Sequence, residues 1–481
     1  MIIQKGQNLE VYIEKLSLGG DGIARVPSQK GGALSNFVIF VPYSVPGDLV
    51  QIKVTECKKT FAKGQIKKII KKGFGRTDPP CPYFFSPEFT NRWCGGCNFQ
   101  QLKYSAQLEE KPRMLREALE RIAGQSSPPI LPAIGSSSVE EWRYRNKIQI
   151  PLGKIKERAV AGFYVPSSHQ IVSIEDCLIH SEELMSLVNF VLQKMNEWKI
   201  EPYSEISHQG WLRHLTIREE KSSMEKLLVF VTSNDHFPKK EEWCKLIQEK
   251  FPKVVGICQN VNGEKTNVIL GKEWKKIFGV DFLTESLNGL KTDGTPIKLK
   301  VSAGSFFQVN TKMGEKLYKV VRDFAALEET EKEKILLDLY CGVGGIALSL
   351  SPNFHKVIGV DEVHSSIEDA KENAQLNKIA NVEFFREDAG DFLGKVLLKA
   401  RGSETLAVVL DPPRSGCAQT ILQKIIELKA KKIIYVSCEP STLARDIKFL
   451  SACGYRLKKV QPVDLFPQSS HIESVSLLAH E

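Results

Sequence analysis

Short alternating runs dominate the first seventy residues. Residues 11–13 and 37–41 are apolar, and Val50-Gln51-Ile52-Lys53-Val54 alternates with the period of two that a half-buried strand requires. Gly19-Gly20-Asp21-Gly22 and Pro46-Gly47-Asp48 mark turns, and residues 63–70 read as another strand. Short strands at this spacing predict a small, OB-like β-barrel over residues 1–72. The Gly-, Pro- and Cys-rich residues 73–100 read as a connection, residues 103–122 as a helix interrupted only by Pro112, and Gln125-Ser126-Ser127-Pro128-Pro129 as a linker. Strand patterns at 147–150, 212–217, 227–231 and 254–261 then mix with helical patterns at 182–198 and 240–250. Residues 73–300 are therefore expected to form a central α+β domain.

From residue 301 the rhythm changes. Apolar runs at 335–339, 357–360, 382–385, 408–410 and 433–436 are separated by helical segments, including 365–377. Regular strand–helix alternation predicts a parallel sheet with right-handed crossovers. The expected fold class is α/β, with a Rossmann-like domain over 301–481 preceded by the barrel and the α+β domain.

Composition narrows the class without naming a function. A chain of 481 residues with 42% hydrophobic and 26% charged positions is globular and long enough for several cores. No apolar run approaches the ~20 residues of a membrane span, and the amino terminus lacks the apolar stretch of a signal peptide. A soluble, cytoplasmic, monomeric protein that does not engage membranes is expected. The location of the charge matters more than its sum. The whole chain is +9, and residues 1–72 alone hold 12 basic and 5 acidic side chains, crowded towards Lys58-Lys59, Lys63, Lys67-Lys68 and Lys71-Lys72. Basic charge gathered on one module is the footprint expected for a phosphate backbone.

Candidate chemistry collects at the ends of the predicted parallel strands. Cys341-Gly342-Val343-Gly344-Gly345 follows the first strand, and Asp361 ends the second. Glycines there let the backbone approach a nucleotide-like ligand, and a carboxylate at Asp361 can accept bonds from both ribose hydroxyls. The same spacing suits a nicotinamide dinucleotide, so the loop alone leaves an oxidoreductase open. The next strand runs into Asp411-Pro412-Pro413-Arg414, a rigid acidic edge, and the following one into Ser437-Cys438-Glu439-Pro440 just before a helix. A thiol at a strand end beside a helix amino terminus is placed to be a nucleophile. His471-Ile472-Glu473 then opens a last strand with a carboxylate.

Taken together, these stretches resemble the RNA uracil-5-methyltransferases. So do Arg143-Tyr144-Arg145-Asn146-Lys147, Leu212-Arg213-His214-Leu215-Thr216-Ile217-Arg218 and Ser305-Phe306-Phe307-Gln308-Val309-Asn310, and the likeness covers almost the whole chain. The first module is similar to a TRAM domain, an RNA-binding barrel attached to RNA-modifying enzymes. The resemblance implies Cys438 as nucleophile on C6 of uracil and Glu473 as the base that removes the C5 proton. It also implies S-adenosylmethionine as methyl donor, contacted by Gln308, Tyr340, Gly345, Asp361, Asp388 and Asp411. Two positions depart from the family. Glu439 stands where Asn is usual, adding a negative charge beside the thiol, and Asp361 stands where Glu is common.

Eleven cysteines in a chain expected to stay inside the cell argue against a disulfide framework. Cys81, the pair Cys94 and Cys97, and Cys177 form a set suited to zinc or to an iron–sulfur cluster, with His180 as an alternative ligand. The family subgroup with a barrel and this cysteine pattern carries a 4Fe-4S cluster, so the resemblance implies that group over zinc. It further implies 23S ribosomal RNA as substrate. Transfer RNA is the alternative, because bacterial transfer-RNA enzymes of the family typically lack barrel and cysteines. A catalytically silent RNA-binding protein is opposed by the retained Cys438 and Glu473.

Overall fold

The computed structural model describes residues 3–30, 33–88, 92–291, 293–328, 333–399 and 405–480. The first module is a six-stranded sheet in the order Asn8–Tyr12, Leu49–Cys57, Phe61–Lys71, Ala33–Val41, Gly22–Lys30, Lys15–Leu16. A parallel pairing of Ala33–Val41 with Phe61–Lys71 joins its two halves. Val50, Ile52 and Val54 are buried while Gln51, Lys53 and Thr55 face out, the alternation read from the sequence.

The middle of the chain forms a seven-stranded sheet whose centre, Leu212–Glu219 beside Lys226–Thr232, is buried at every position. Helices Glu182–Trp198 and Lys240–Lys250 pack Leu187, Val188, Trp243 and Ile247 against it. Hairpin Phe282–Leu287 with Ile297–Ser302 leads to the last unit.

That unit is a second seven-stranded sheet in the spatial order Val382–Arg386, Lys356–Asp361, Lys334–Leu339, Thr405–Leu410, Lys432–Ser437, Glu473–His480, Tyr455–Val463. The first five are parallel, and Glu473–His480 enters antiparallel beside Lys432–Ser437. This is the expected α/β architecture. The strand order reverses between Lys334–Leu339 and Thr405–Leu410, so their carboxyl ends open the crevice in which such sheets bind ligands.

Two segments differ from the sequence reading. The Tyr455–Val463 strand carries Arg456, Lys458, Lys459 and Pro462, which obscure an apolar pattern but are tolerated on an edge. The supposed linker leads into residues that cover this edge. Leu131 N donates to Val460 O at 2.9 Å and Ile134 N to Pro462 O at 2.9 Å. Helix Tyr104–Arg121 runs through Pro112 and buries Leu115, Ala118 and Leu119 with Leu443, Ile447 and Leu450 of helix Pro440–Ala452. Among the described residues no helix is long and apolar enough to cross a membrane.

Lys63 and Lys67 lie exposed on the outer face of the last barrel strand, with Lys68 beside them. If this face meets phosphates, changing all three to Gln flattens the dependence of log affinity for RNA on log salt. About 0.7 is lost per abolished contact to a single strand. Filter binding across a salt series measures this, and an unchanged slope assigns the lysines to solvation alone.

Candidate active site

The glycine loop sets the floor of the crevice. Tyr340 leaves the first strand with φ 67°, a conformation costly for a bulky residue and concentrated at functional sites. Gly344 has φ 83°, and a Cβ there would stand 2.7 Å from the Phe384 ring, so glycine is required. Beneath the loop, buried Asp338 accepts a bond from Ala347 N at 2.9 Å, tying the strand to helix Gly345–Leu350. Burial, with Asp411 nearby, pushes the Asp338 carboxyl well above its ordinary range. Asp361 fastens both flanks of the crevice, accepting from Gly342 N at 3.0 Å and Val363 N at 2.8 Å.

The carboxyl-end rim brings most sequence-derived cofactor candidates together. Tyr340 and Gly345 follow the first strand, Asp361 closes the second, Asp388 lies just past the third, and Asp411 follows the fourth. Tyr340 lies within electrostatic reach of Asp388 and Cys417. Gln308 comes from outside the sheet, just before helix Thr311–Ala325. Its loop is held twice. Asn146 Nδ2 donates to Gln308 O at 2.9 Å, and Ser305 Oγ donates to Asp369 at 2.7 Å.

Cys438 and Glu473 become neighbours through strand register. Ser437 pairs with Ser474 across the antiparallel ladder, so the residue after one meets the residue before the other. Burial first, then the Glu473 and Asp411 carboxylates, push the Cys438 thiol up to about 11, while the Arg414 guanidinium pulls it down. Glu473, 6% exposed, is raised well above the ordinary carboxylate range by burial and by Asp411, again opposed by Arg414. Burial raises Asp411 to about 7. Arg414 is thus the cation shared by the two candidate catalytic groups, a role that the Asp411-Pro412-Pro413-Arg414 motif did not disclose.

Glu439 resolves differently from its sequence reading. It caps helix Pro440–Ala452, accepting from Ser441 N at 3.4 Å and Ser441 Oγ at 2.5 Å. A carboxylate at a helix amino terminus is favourably placed. Residues unmarked in the sequence support the Arg414 loop from behind. Asp446 accepts from Tyr435 OH at 2.7 Å and Cys417 N at 2.9 Å, and Arg445 donates to Ser415 O at 3.0 Å.

Cys81, Cys94, Cys97 and Cys177 line one cavity of about 430 Å³ together with His180, Phe306 and Gln308. Burial pushes the Cys94, Cys97 and Cys177 thiols up to about 12. His180 Nδ1 lies 3.2 Å from Cys177 Sγ. Among the described residues, however, no three His, Cys, Asp or Glu side chains are grouped to hold a metal ion. Neither zinc nor the 4Fe-4S cluster expected at these four cysteines is therefore shown; what the described residues show is four thiols lining one cavity. A second cleft, of about 670 Å³, runs from Lys63, Gln65 and Tyr43 of the barrel past Cys97 and Asn98 to Glu439 and His471.

Comparison with known proteins agrees with this layout. A family model described as tRNA (Uracil-5-)-methyltransferase matches residues 103–481, and a TRAM domain model matches residues 4–67. A Bacillus cereus protein called an uncharacterized RNA methyltransferase is 38% identical over 99% of this chain and 97% of its own. One from Halalkalibacterium halodurans, so called as well, is 37% identical over 99% and 98%. The crystal structure of Pyrococcus abyssi tRNA (uracil-54, C5)-methyltransferase with S-adenosyl-L-homocysteine superposes with a TM-score of 0.71 at 26% identity, covering 98% of this chain and 100% of that one.

Because burial and neighbouring carboxylates push the Cys438 thiol up to about 11, its thiolate fraction should grow about tenfold per pH unit through the neutral range. Iodoacetamide labelling of the Cys438 peptide, followed by mass spectrometry, should rise with that slope from pH 7 to 10. Arg414→Gln removes the cation that lowers the thiol, so labelling at a given pH should slow and the rise move to higher pH. A wild-type rate independent of pH, or an unaffected variant, contradicts this electrostatic arrangement.

Proposed function

The chain belongs to the RNA uracil-5-methyltransferase family, and from that membership we propose that it methylates C5 of a uridine in 23S ribosomal RNA through a covalent bond between Cys438 and uracil C6. The observation that carries the reading is the meeting of Cys438, Glu473, Asp411 and Arg414 at the strand ends. That the chain is an RNA methyltransferase follows from the family itself. S-adenosylmethionine supplies the methyl group. Gln308, Tyr340, Gly345, Asp361, Asp388 and Asp411 would hold it.

Uracil C5 is too weak a nucleophile to take a methyl group unaided. The Cys438 thiolate adds to C6, forming the S–C6 bond and pushing electron density to C5, which takes the methyl group as the donor's methyl–sulfur bond breaks and its sulfonium becomes a neutral thioether. Glu473 removes the C5 proton, the electrons of the C5–H bond restore the C5–C6 double bond, and the S–C6 bond breaks. Arg414 favours the charged forms of both residues. The target base must leave any stack to reach Cys438, and the cleft between barrel and strand ends offers a path for the strand that carries it.

Transfer RNA is the second reading, and the Pyrococcus abyssi likeness favours it. That tRNA enzyme matches over 98% of this chain, so the barrel does not separate the two substrates. For the four cysteines we propose a 4Fe-4S cluster, because they line one cavity and the family subgroup that they resemble carries such a group. Cys81, Cys94, Cys97 and Cys177 would ligate it, in a structural role, since methyl transfer needs no electron.

Cys438→Ala should bind RNA and form no adduct. Glu473→Gln should add and methylate but fail to release, leaving a denaturation-resistant band with ordinary RNA. Wild type should give such a band with 5-fluorouridine RNA, because fluorine cannot leave C5 as a cation. An adduct in Cys438→Ala, or normal turnover in Glu473→Gln, removes the respective assignment. Mass spectrometry of 23S and transfer RNA from cells with and without the protein decides the substrate.

Asp361→Ala should weaken S-adenosylmethionine binding by about 1.5–3 kcal/mol, the range for a charged hydrogen bond, measured by calorimetry. Anaerobically purified protein should hold about four irons per chain, lost in the Cys94→Ser, Cys97→Ser double variant. Stoichiometric zinc without iron reverses that part of the reading.

A further inference from the structure

The segment that delivers Glu473 to its strand, residues 464–472, is irregular and includes Gln468 at φ 69°. A strained connection keeps one shape only when its surroundings impose it. Here they come from the other end of the chain. Lys111 Nζ donates to Asp464 at 2.6 Å with both side chains 1% exposed, and to Phe466 O at 3.0 Å. Gln107 makes a reciprocal pair with Gln468, Nε2 to Oε1 at 2.9 Å and Gln468 N to Oε1 at 2.9 Å. Tyr144 OH donates to Pro467 O at 3.2 Å.

The last anchor before the base is Asn98, the residue after Cys97. Its Oδ1 accepts from Ser470 N at 2.8 Å, and its Nδ2 donates to Ser470 Oγ at 2.9 Å and to Gly19 O at 3.2 Å. Ser470 Oγ donates in turn to Gly19 O at 3.0 Å. A Cβ on Gly20 would stand 2.6 Å from Ser470 Cβ, so the barrel turn sits hard against the same point. One amide thus ties together the barrel, the cysteine loop and the residues leading into Glu473.

We infer that Asn98 is a positioning residue for Glu473, coupling the barrel turn and the cysteine loop to the step in which the C5 proton is removed. This rests on the reading of Cys438 as nucleophile and Glu473 as base. Cys438 lies on a different element, at the end of a parallel strand, and is not held through Asn98. Losing the amide should therefore disturb the second half of the reaction and spare the first.

The test separates the halves. Asn98→Ala and the milder Ser470→Ala are compared with wild type for the rate of adduct formation on 5-fluorouridine RNA and the rate of adduct release on ordinary RNA. At saturating RNA, which removes any effect on binding in the cleft that Asn98 also lines, expected is an addition rate within about twofold of wild type, with release slowed about tenfold or more, the scale of a small misplacement of a catalytic group. The double variant should be less than additive, because both changes cut one network. Equal slowing of both steps in folded variants makes Asn98 merely structural and overturns the inference, as does an unchanged release rate. If wild type forms no adduct at all, it is the reading of Cys438 that fails.

Discussion

One strand pairing makes the site possible. Glu473–His480 runs antiparallel to Lys432–Ser437 in an otherwise parallel sheet, and the register Ser437 to Ser474 sets the start of one strand beside the end of the other. Only an antiparallel partner can put its first residue at the carboxyl edge where a parallel sheet binds ligands. Slipping that register by one residue would turn Glu473 to the other face of the sheet and separate it from Cys438.

Bringing these groups together has an electrostatic consequence. Burial raises Cys438, Glu473 and Asp411 alike, neighbouring carboxylates add to the rise at Cys438 and Glu473, and the guanidinium of Arg414 opposes it at those two. A thiol held near 11 is a weak nucleophile at rest but a strong one once ionised. Glu473, raised in the same way, holds a proton firmly after taking it. The Glu439 carboxylate next to this group is engaged at the helix amino terminus.

Around that centre, polar side chains act as fasteners. Asn146 holds the Gln308 loop, Asp369 holds Ser305, Asp446 holds the loop after Asp411, and Gln107 with Asn98 holds the approach to Glu473. Each is a side-chain bond to backbone or to another polar side chain, across elements far apart in the chain. Loops carrying reactive groups lack a ladder of their own, and such bonds replace it.

Periodicity sufficed for much of the architecture. Val50 to Val54 alternates and forms a barrel strand, and the apolar runs from residue 335 onward, divided by helical stretches, form the parallel core. In these places local pattern and tertiary burial ask for the same residues. Strand ends are legible from sequence, so the places of Cys438, Glu473 and the rim carboxylates at the carboxyl edge could be anticipated. The Tyr455–Val463 strand was not, since an edge strand needs no apolar alternation and here carries lysines and a proline. Nor could spacing tell that residues 131–134 bind along that edge, that Glu439 caps the following helix, that four cysteines line one cavity, or that Asn98 meets Ser470. Those outcomes depend on which distant backbone groups need partners and which side chains are near enough to supply them, and that is settled only when the chain has packed.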